Sequence, residues 1–102
     1  METYIGVVKH FYNHLGVAVL SLSGDLKAGE VVHILGHSTD FFQEAWSLEV
    51  DHRQVEEGKA GEDIAMKLIG PAREGDKIFL APEAKPTDPL EIEEQLQDEW
   101  AR

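Results

Sequence analysis

Five histidines and twenty carboxylates are the groups in this chain best equipped for chemistry. Their spacing decides how much of it they can do. His33 and His37 stand four residues apart, as do His10 and His14, and His52 is isolated. In an extended segment four residues span about 13 Å, whereas the ligands of one zinc ion lie about 2 Å from it. Neither pair can share a metal unless the chain bends sharply at Gly36 or in the turn before His14, so no metal and no other cofactor is expected. The cysteine count is zero, which excludes thiolate nucleophiles, disulfides and Cys-zinc sites together. The glycine spacing from Gly24 to Gly29 matches a phosphate loop, but Glu30 and Val31 stand where its Lys and Ser/Thr must be. A phosphate would meet a carboxylate there, so no nucleotide is expected. Ser21, Ser23, Ser38 and Ser47 lack the Gly-x-Ser-x-Gly frame of an exposed nucleophile. Runs of carboxylates are ordinarily solvated faces. The residues point away from an enzyme.

The charge balance narrows the partners. Nine Lys and Arg face twenty Asp and Glu over 102 residues, a net of −11 with neutral His. Non-specific nucleic-acid binding needs cations that displace condensed counterions, and an anionic membrane repels such a chain. A protein partner is therefore expected, a basic one by charge, and RNA is disfavoured. No apolar run exceeds four residues, Val17 to Leu20 among them, against about 20 for a membrane span. Met1-Glu2-Thr3-Tyr4 lacks the basic-then-apolar order of a signal peptide, which gives a cytoplasmic expectation. Residues 1–82 hold 13 acidic and 7 basic side chains, and residues 83–102 hold 7 and 2. Pro82, Pro86 and Pro89 gather at this break. The division is a compact body at 1–82 and an acidic tail at 83–102.

The elements that must position these groups read as β-structure. Short runs rich in Val, Ile and Phe cover 4–11, 17–22, 31–35, 64–69 and 77–80, punctuated by Gly and Asp. A further strand is read through Phe42, Trp46, Leu48 and Val50, whose even positions predict a face in the core, with Glu44 as the exception. Six short strands without helices predict an all-β fold, a small six-stranded closed β-barrel, since closure removes exposed edges. The alternative is an open sandwich. In the tail, Asp88-Pro89-Leu90-Glu91 carries a helix start signature: an N-cap, Pro at the first position, and Glu three beyond the cap. Ile92, Leu96 and Trp100 recur every fourth residue. They predict a short acidic amphipathic helix over 89–101 with a narrow apolar stripe.

Four stretches carry a resemblance. They are Lys27-Ala28-Gly29-Glu30-Val31-Val32-His33-Ile34, Ser47-Leu48-Glu49-Val50, Val55 through Ala65, and Arg73-Glu74-Gly75-Asp76-Lys77-Ile78. In this order and spacing they resemble the second domain of translational GTPases such as elongation factor Tu. They are closer still to small stand-alone proteins called translation elongation factor-like, and similar modules end some U32-family peptidases. The resemblance covers residues 4–81. It implies a Greek-key-like barrel and places Glu49 at the position of an acidic residue lining a terminal-adenosine pocket. No GTPase domain accompanies the barrel in this sequence, no basic face stands in for phosphate contacts, and the acidic tail lies outside the resemblance.

Three readings of function follow. The first is a non-catalytic interaction module associated with translation. Its tail stripe Ile92, Leu96 and Trp100 would cap its own barrel, bridge two copies into a homo-oligomer, or dock as a helix in a groove elsewhere. The second is RNA binding of the tRNA 3′-end kind, through Glu49 and the exposed member of Phe41-Phe42; alternation places Phe42 in the core and leaves Phe41 to stack bases. The third is an accessory domain to a separately encoded enzyme such as a U32-type peptidase.

Overall fold

The computed structural model describes residues 1–92. Runs of β-branched and aliphatic residues, each stopped by a turn, form ten strands among these residues. They are β1 (Thr3–Tyr12), β2 (Val17–Leu22), β3 (Leu26–Lys27), β4 (Val31–Leu35), β5 (Asp40–Glu44), β6 (Glu49–Val50), β7 (Arg53–Gln54), β8 (Glu57–Gly58), β9 (Asp63–Lys67) and β10 (Lys77–Leu80). Eight make one antiparallel sheet in the order β5-β4-β10-β1-β2-β9-β6-β7, and β3 pairs with β8 separately. The long β1 is the spine, pairing β10 along its first half and β2 along the rest. Its register shifts between Tyr4 and Gly6 and again between Val8 and His10. Bulges of this kind sharpen local twist. The sheet curls, and its concave face encloses one core in which Leu20, Leu26, Ile34, Leu48, Ile64, Met66 and Ile78 are fully buried. Each such side chain contributes about 1.5–3 kcal/mol of transfer free energy.

The all-β expectation holds, and the closed six-stranded barrel does not. No sheet closes on itself: β5 and β7 end the strand order. The reason lies at Gln43. Where β5 approaches the end of β9, its buried amide donates from Nε2 to the Lys67 carbonyl at 2.8 Å and accepts the Ile69 N–H on Oε1 at 2.9 Å. A side chain thus stands in the seam where a backbone ladder would run. The outer edge of β5 is also occupied. The Phe42 N–H donates to Thr87 Oγ1 at 2.9 Å, and the Phe42 carbonyl accepts the Thr87 N–H at 2.8 Å. An edge strand blunted in this way offers no template for pairing.

The alternation through 42–50 is also corrected. Phe41, Gln43 and Ala45 point inward, and Trp46 is exposed. The run is two strands. Ser47 takes a positive φ of 55° between them, which resets the facing so that Leu48 is buried. Asp51 and His52, at φ 51° and 64°, make the two-residue hairpin turn from β6 to β7, the mirror-image geometry that matches strand twist.

One turn recurs three times. At 27–30, 59–62 and 73–76 a cation, any residue, Gly and an acid follow one another. In each, the Gly has φ between 91° and 96°, where other residues are strained. In each, the acid's side chain accepts the N–H of the cation three residues earlier, at 2.7, 2.6 and 2.8 Å.

Past β10 the chain turns at 82–83, passes along β5 and begins a helical turn at 89–92. Asp88 caps it: Oδ1 accepts the Leu90 N–H at 3.0 Å, and its carbonyl accepts the Glu91 N–H at 2.9 Å. Ile92, 5% exposed, joins the core, covering Gly70 together with the Phe41 ring. Leu96, Trp100 and the rest of the helix expected over 89–101 lie outside the described residues. Among the described residues no helix is long and apolar enough to cross a membrane.

Candidate functional site

The residues expected to act come out apart. Glu49 sits half-buried on β6, opposite Gln54 and Ala65. Phe41 is 3% exposed and lies in the core, so the base-stacking role expected of it has no free ring face; the parity of 41 and 42 is the reverse of the alternation reading. Ile92 is in the core as well. Among the described residues no three His, Asp or Glu side chains are placed to hold a metal ion. His10 faces Glu74 at 3.2 Å, while His14, His37 and His52 are exposed.

What the fold does assemble lies on the convex face of the sheet. Antiparallel pairing sets Tyr4 opposite Phe79, Phe79 opposite His33, and His33 opposite Phe42. Cross-strand partners share a face, so four strands contribute one row of four rings. Phe42 and His33 stack with centroids 4.0 Å apart and planes 16° apart. His33 and Phe79 are 6.2 Å apart, and Phe79 meets Tyr4 edge-on at 5.7 Å. Tyr4, 47% exposed, is the open end of the row.

His33 is the pinned centre. Its Nδ1 is 2.8 Å from Glu2 Oε1 and its Nε2 is 2.6 Å from Asp40 Oδ1. Two carboxylate acceptors on opposite ring nitrogens suit only the doubly protonated ring, in which both nitrogens donate. Burial disfavours that charge, but the hydrogen bonds and charges of Glu2 and Asp40 outweigh it and raise the pKa above its ordinary 6.5. The imidazolium therefore ties the segment before β1 to the start of β5. With both nitrogens taken, His33 is neither a metal ligand nor a free base.

Concavities among the described residues flank the sheet, one of them at Val31, Leu80 and Pro82. A notch of about 180 Å³ beside Glu2 is lined also by Met1, Ala81, Glu83 and Ala84. A groove of about 280 Å³ lies between Trp46, Ile69, Pro86 and Pro89, with the Lys67 ammonium 5.7 Å from the Trp46 ring centroid. This site of rings and carboxylates was missed in the sequence, where its members stand at 2, 4, 33, 40, 42 and 79. The pairing of β5 with β4, and of β4 and β1 with β10, brings them together.

No family model matches the chain. Over 80 residues it is 39% identical to an uncharacterized protease of Methanocaldococcus jannaschii, a match that takes 78% of this chain and 20% of that protein. The chain thus spans about a fifth of the length of this curated relative. Among solved structures it is similar to the C-terminal domain of a Geobacillus thermoleovorans protein assigned to the U32 peptidases. The TM-score is 0.70 at 14% identity, over 74% of this chain and 89% of that one. The selenomethionine form of that domain gives the same TM-score and covers 95% of its chain. These findings overturn the resemblance to translation-factor domains, and with it the association with translation. The sequence relative is a protease and the structural neighbours end a U32 peptidase. What the structural match establishes for this chain is the fold of that Geobacillus C-terminal domain.

Proposed function

We propose that this chain is a non-catalytic accessory domain that works beside a U32-type peptidase in the cytoplasm, binding protein through its surface. One observation carries the reading: a stretch of a much longer protease, 20% of its length, is 39% identical to this chain over 80 residues. The fold shared with the C-terminal domain of a U32 peptidase supports it. The non-catalytic part rests on the pinned His33 and on the scatter of the remaining histidines, none of which is hydrogen-bonded to a serine or threonine hydroxyl among the described residues. The test is co-expression with the catalytic part of a U32-type peptidase from the same organism, followed by size-exclusion chromatography with light scattering. Co-elution in fixed stoichiometry supports the reading. Separate elution of two well-folded proteins at micromolar concentration refutes it. Hydrolysis of a peptide library by the purified chain alone would refute the non-catalytic assignment.

A further inference from the structure

We propose that the convex-face row Tyr4–Phe79–His33–Phe42 is a docking surface for an arginine-bearing segment of a protein partner. The identity of that partner as a peptidase rests on the accessory-domain reading; the chemistry of the surface does not.

The row is unusual for its place. The open face of an antiparallel sheet is ordinarily polar, and the hydrophobic core here lies wholly on the other face. Yet four adjacent cross-strand positions carry rings. Carboxylates border them. Glu2 and Asp40 each commit one oxygen to His33, and their second oxygens accept no hydrogen bond among the described residues. Asp40 is largely exposed. Glu2 and Glu83 line the notch beyond the row.

Glu2, Asp40 and Glu83 outnumber the one imidazolium, so the row stays negative, and the exposed Tyr4 ring is its open stacking face; a guanidinium satisfies both features at once. It is planar and weakly hydrated, it stacks on aromatic faces, and its fork fits a carboxylate. An ammonium meets the charge and attracts a ring as a point cation, but it neither stacks flat on the ring nor forks onto a carboxylate. Nucleic-acid bases would stack equally well, but their phosphates would face Glu2, Asp40 and Glu83 on a chain of net charge −11. An acidic protein is repelled in the same way. The double clamp on His33 holds the middle ring and both carboxylates in place before any partner arrives, which lowers the ordering cost of binding.

The experiment is an amide chemical-shift titration of the full chain with three probes: a capped hexapeptide of alternating Arg and Gly, its Lys counterpart, and a short single-stranded RNA. The Arg peptide should shift amides at Tyr4, His33, Phe42 and Phe79, and bind about threefold or more tightly than the Lys peptide, because planar stacking and the bidentate fork are open to the guanidinium alone. Tyr4→Ser and Asp40→Asn should each weaken it by a similar factor. Glu74→Gln, which removes the same charge beside His10 instead, should leave it unchanged. Equal affinity for Lys and Arg with shifts scattered over the acidic surface, RNA preferred at the row, or no binding at millimolar peptide would each overturn the proposal. The titration contains no peptidase, so the two readings fail separately. A row that binds the Arg peptide in a chain that ignores the peptidase refutes the accessory reading alone. A peptidase complex indifferent to Tyr4→Ser and Asp40→Asn refutes the surface alone.

Discussion

Replacing Gln43 by Leu tests the account of the open seam. Gln43 is 1% exposed, and its amide is the partner of the Ile69 N–H and the Lys67 carbonyl, with a longer bond to the Glu44 carbonyl at 3.2 Å. Leucine fills nearly the same volume but satisfies neither backbone group. Each buried backbone group left without a partner costs about 1–3 kcal/mol. The added apolar burial returns about 1 kcal/mol. The expected loss is about 1–5 kcal/mol, a large part of the roughly 5–15 kcal/mol of a small domain. Urea unfolding followed by tryptophan fluorescence measures it, and hydrogen exchange localises it: the Ile69 amide should lose protection while amides at the β1–β2 centre keep theirs relative to global unfolding. Gln43→Glu should be worse at neutral pH, since a carboxylate would then oppose the Lys67 carbonyl in a dry site. A Gln43→Leu variant within about 0.5 kcal/mol of the parent, with Ile69 still protected, would mean that the seam is held by apolar packing and that the side-chain bridge explains nothing.

Three further outcomes follow from single contacts. The folded pKa of His33 is raised above 6.5, so the stability it contributes is full below about pH 6.5 and is lost as pH rises through the folded value. Thermal melts between about pH 6 and pH 9 should show this fall, and His33→Gln should remove it. Ile92→Ala empties the core position over Gly70 and beside Phe41; a loss of about 2–3 kcal/mol by urea denaturation is expected, and a loss near zero would show that the tail only rests on the body. Gly36→Ala would drive a Cβ into the carboxylate of Asp76, which is buried and held by the Arg73 N–H. It should cost about 1–3 kcal/mol, part of which Asp76→Ser in the same chain recovers.

Much of the fold was legible because strand and turn signals are local. The runs at 17–22 and 31–35 are strands β2 and β4 without correction. The cap at Asp88 follows from four consecutive residues. The misreading at 42–50 has a physical cause. Glu44 broke the even-numbered apolar face, and the odd face held Phe41, Ala45 and a glutamine. Gln43 looked like a solvent residue because its burial is licensed by partners on β9 and beyond, 24 and 26 residues away. Long-range satisfaction of a polar side chain leaves no periodic trace. The two-residue strands β3, β6, β7 and β8 are too short to show a period at all.

The functional surface was illegible for a related reason, and the same reason explains why a resemblance carried by turns led astray. A cation-x-Gly-acid turn is a local solution for reversing a chain. It recurs three times here because its hydrogen bond and its positive-φ glycine are self-contained. Such a turn reports how strands are joined and is silent on what the strands present outward. Presentation depends on register, and register here is set by β10 inserting between β4 and β1. A slip of one residue in that pairing would turn Phe79 inward and put Ile78 on the convex face. The row would lose the ring between Tyr4 and His33, and His33 would lose a neighbour while keeping both carboxylates. The alignment of the four rings and the burial of Ile34 and Ile78 are therefore one fact seen from two sides of the sheet. A substitution that shifts the register should therefore perturb binding at the outer side even where it touches no ring, and one that only thins the core should not. Ile78→Val is the sharp case. It removes one methylene from a fully buried position and should cost about 0.5–1.5 kcal/mol. If register alone matters, the chain that remains folded should bind the Arg peptide as the parent does; weakened binding in the folded chain would show that core packing also sets the pitch of the rings.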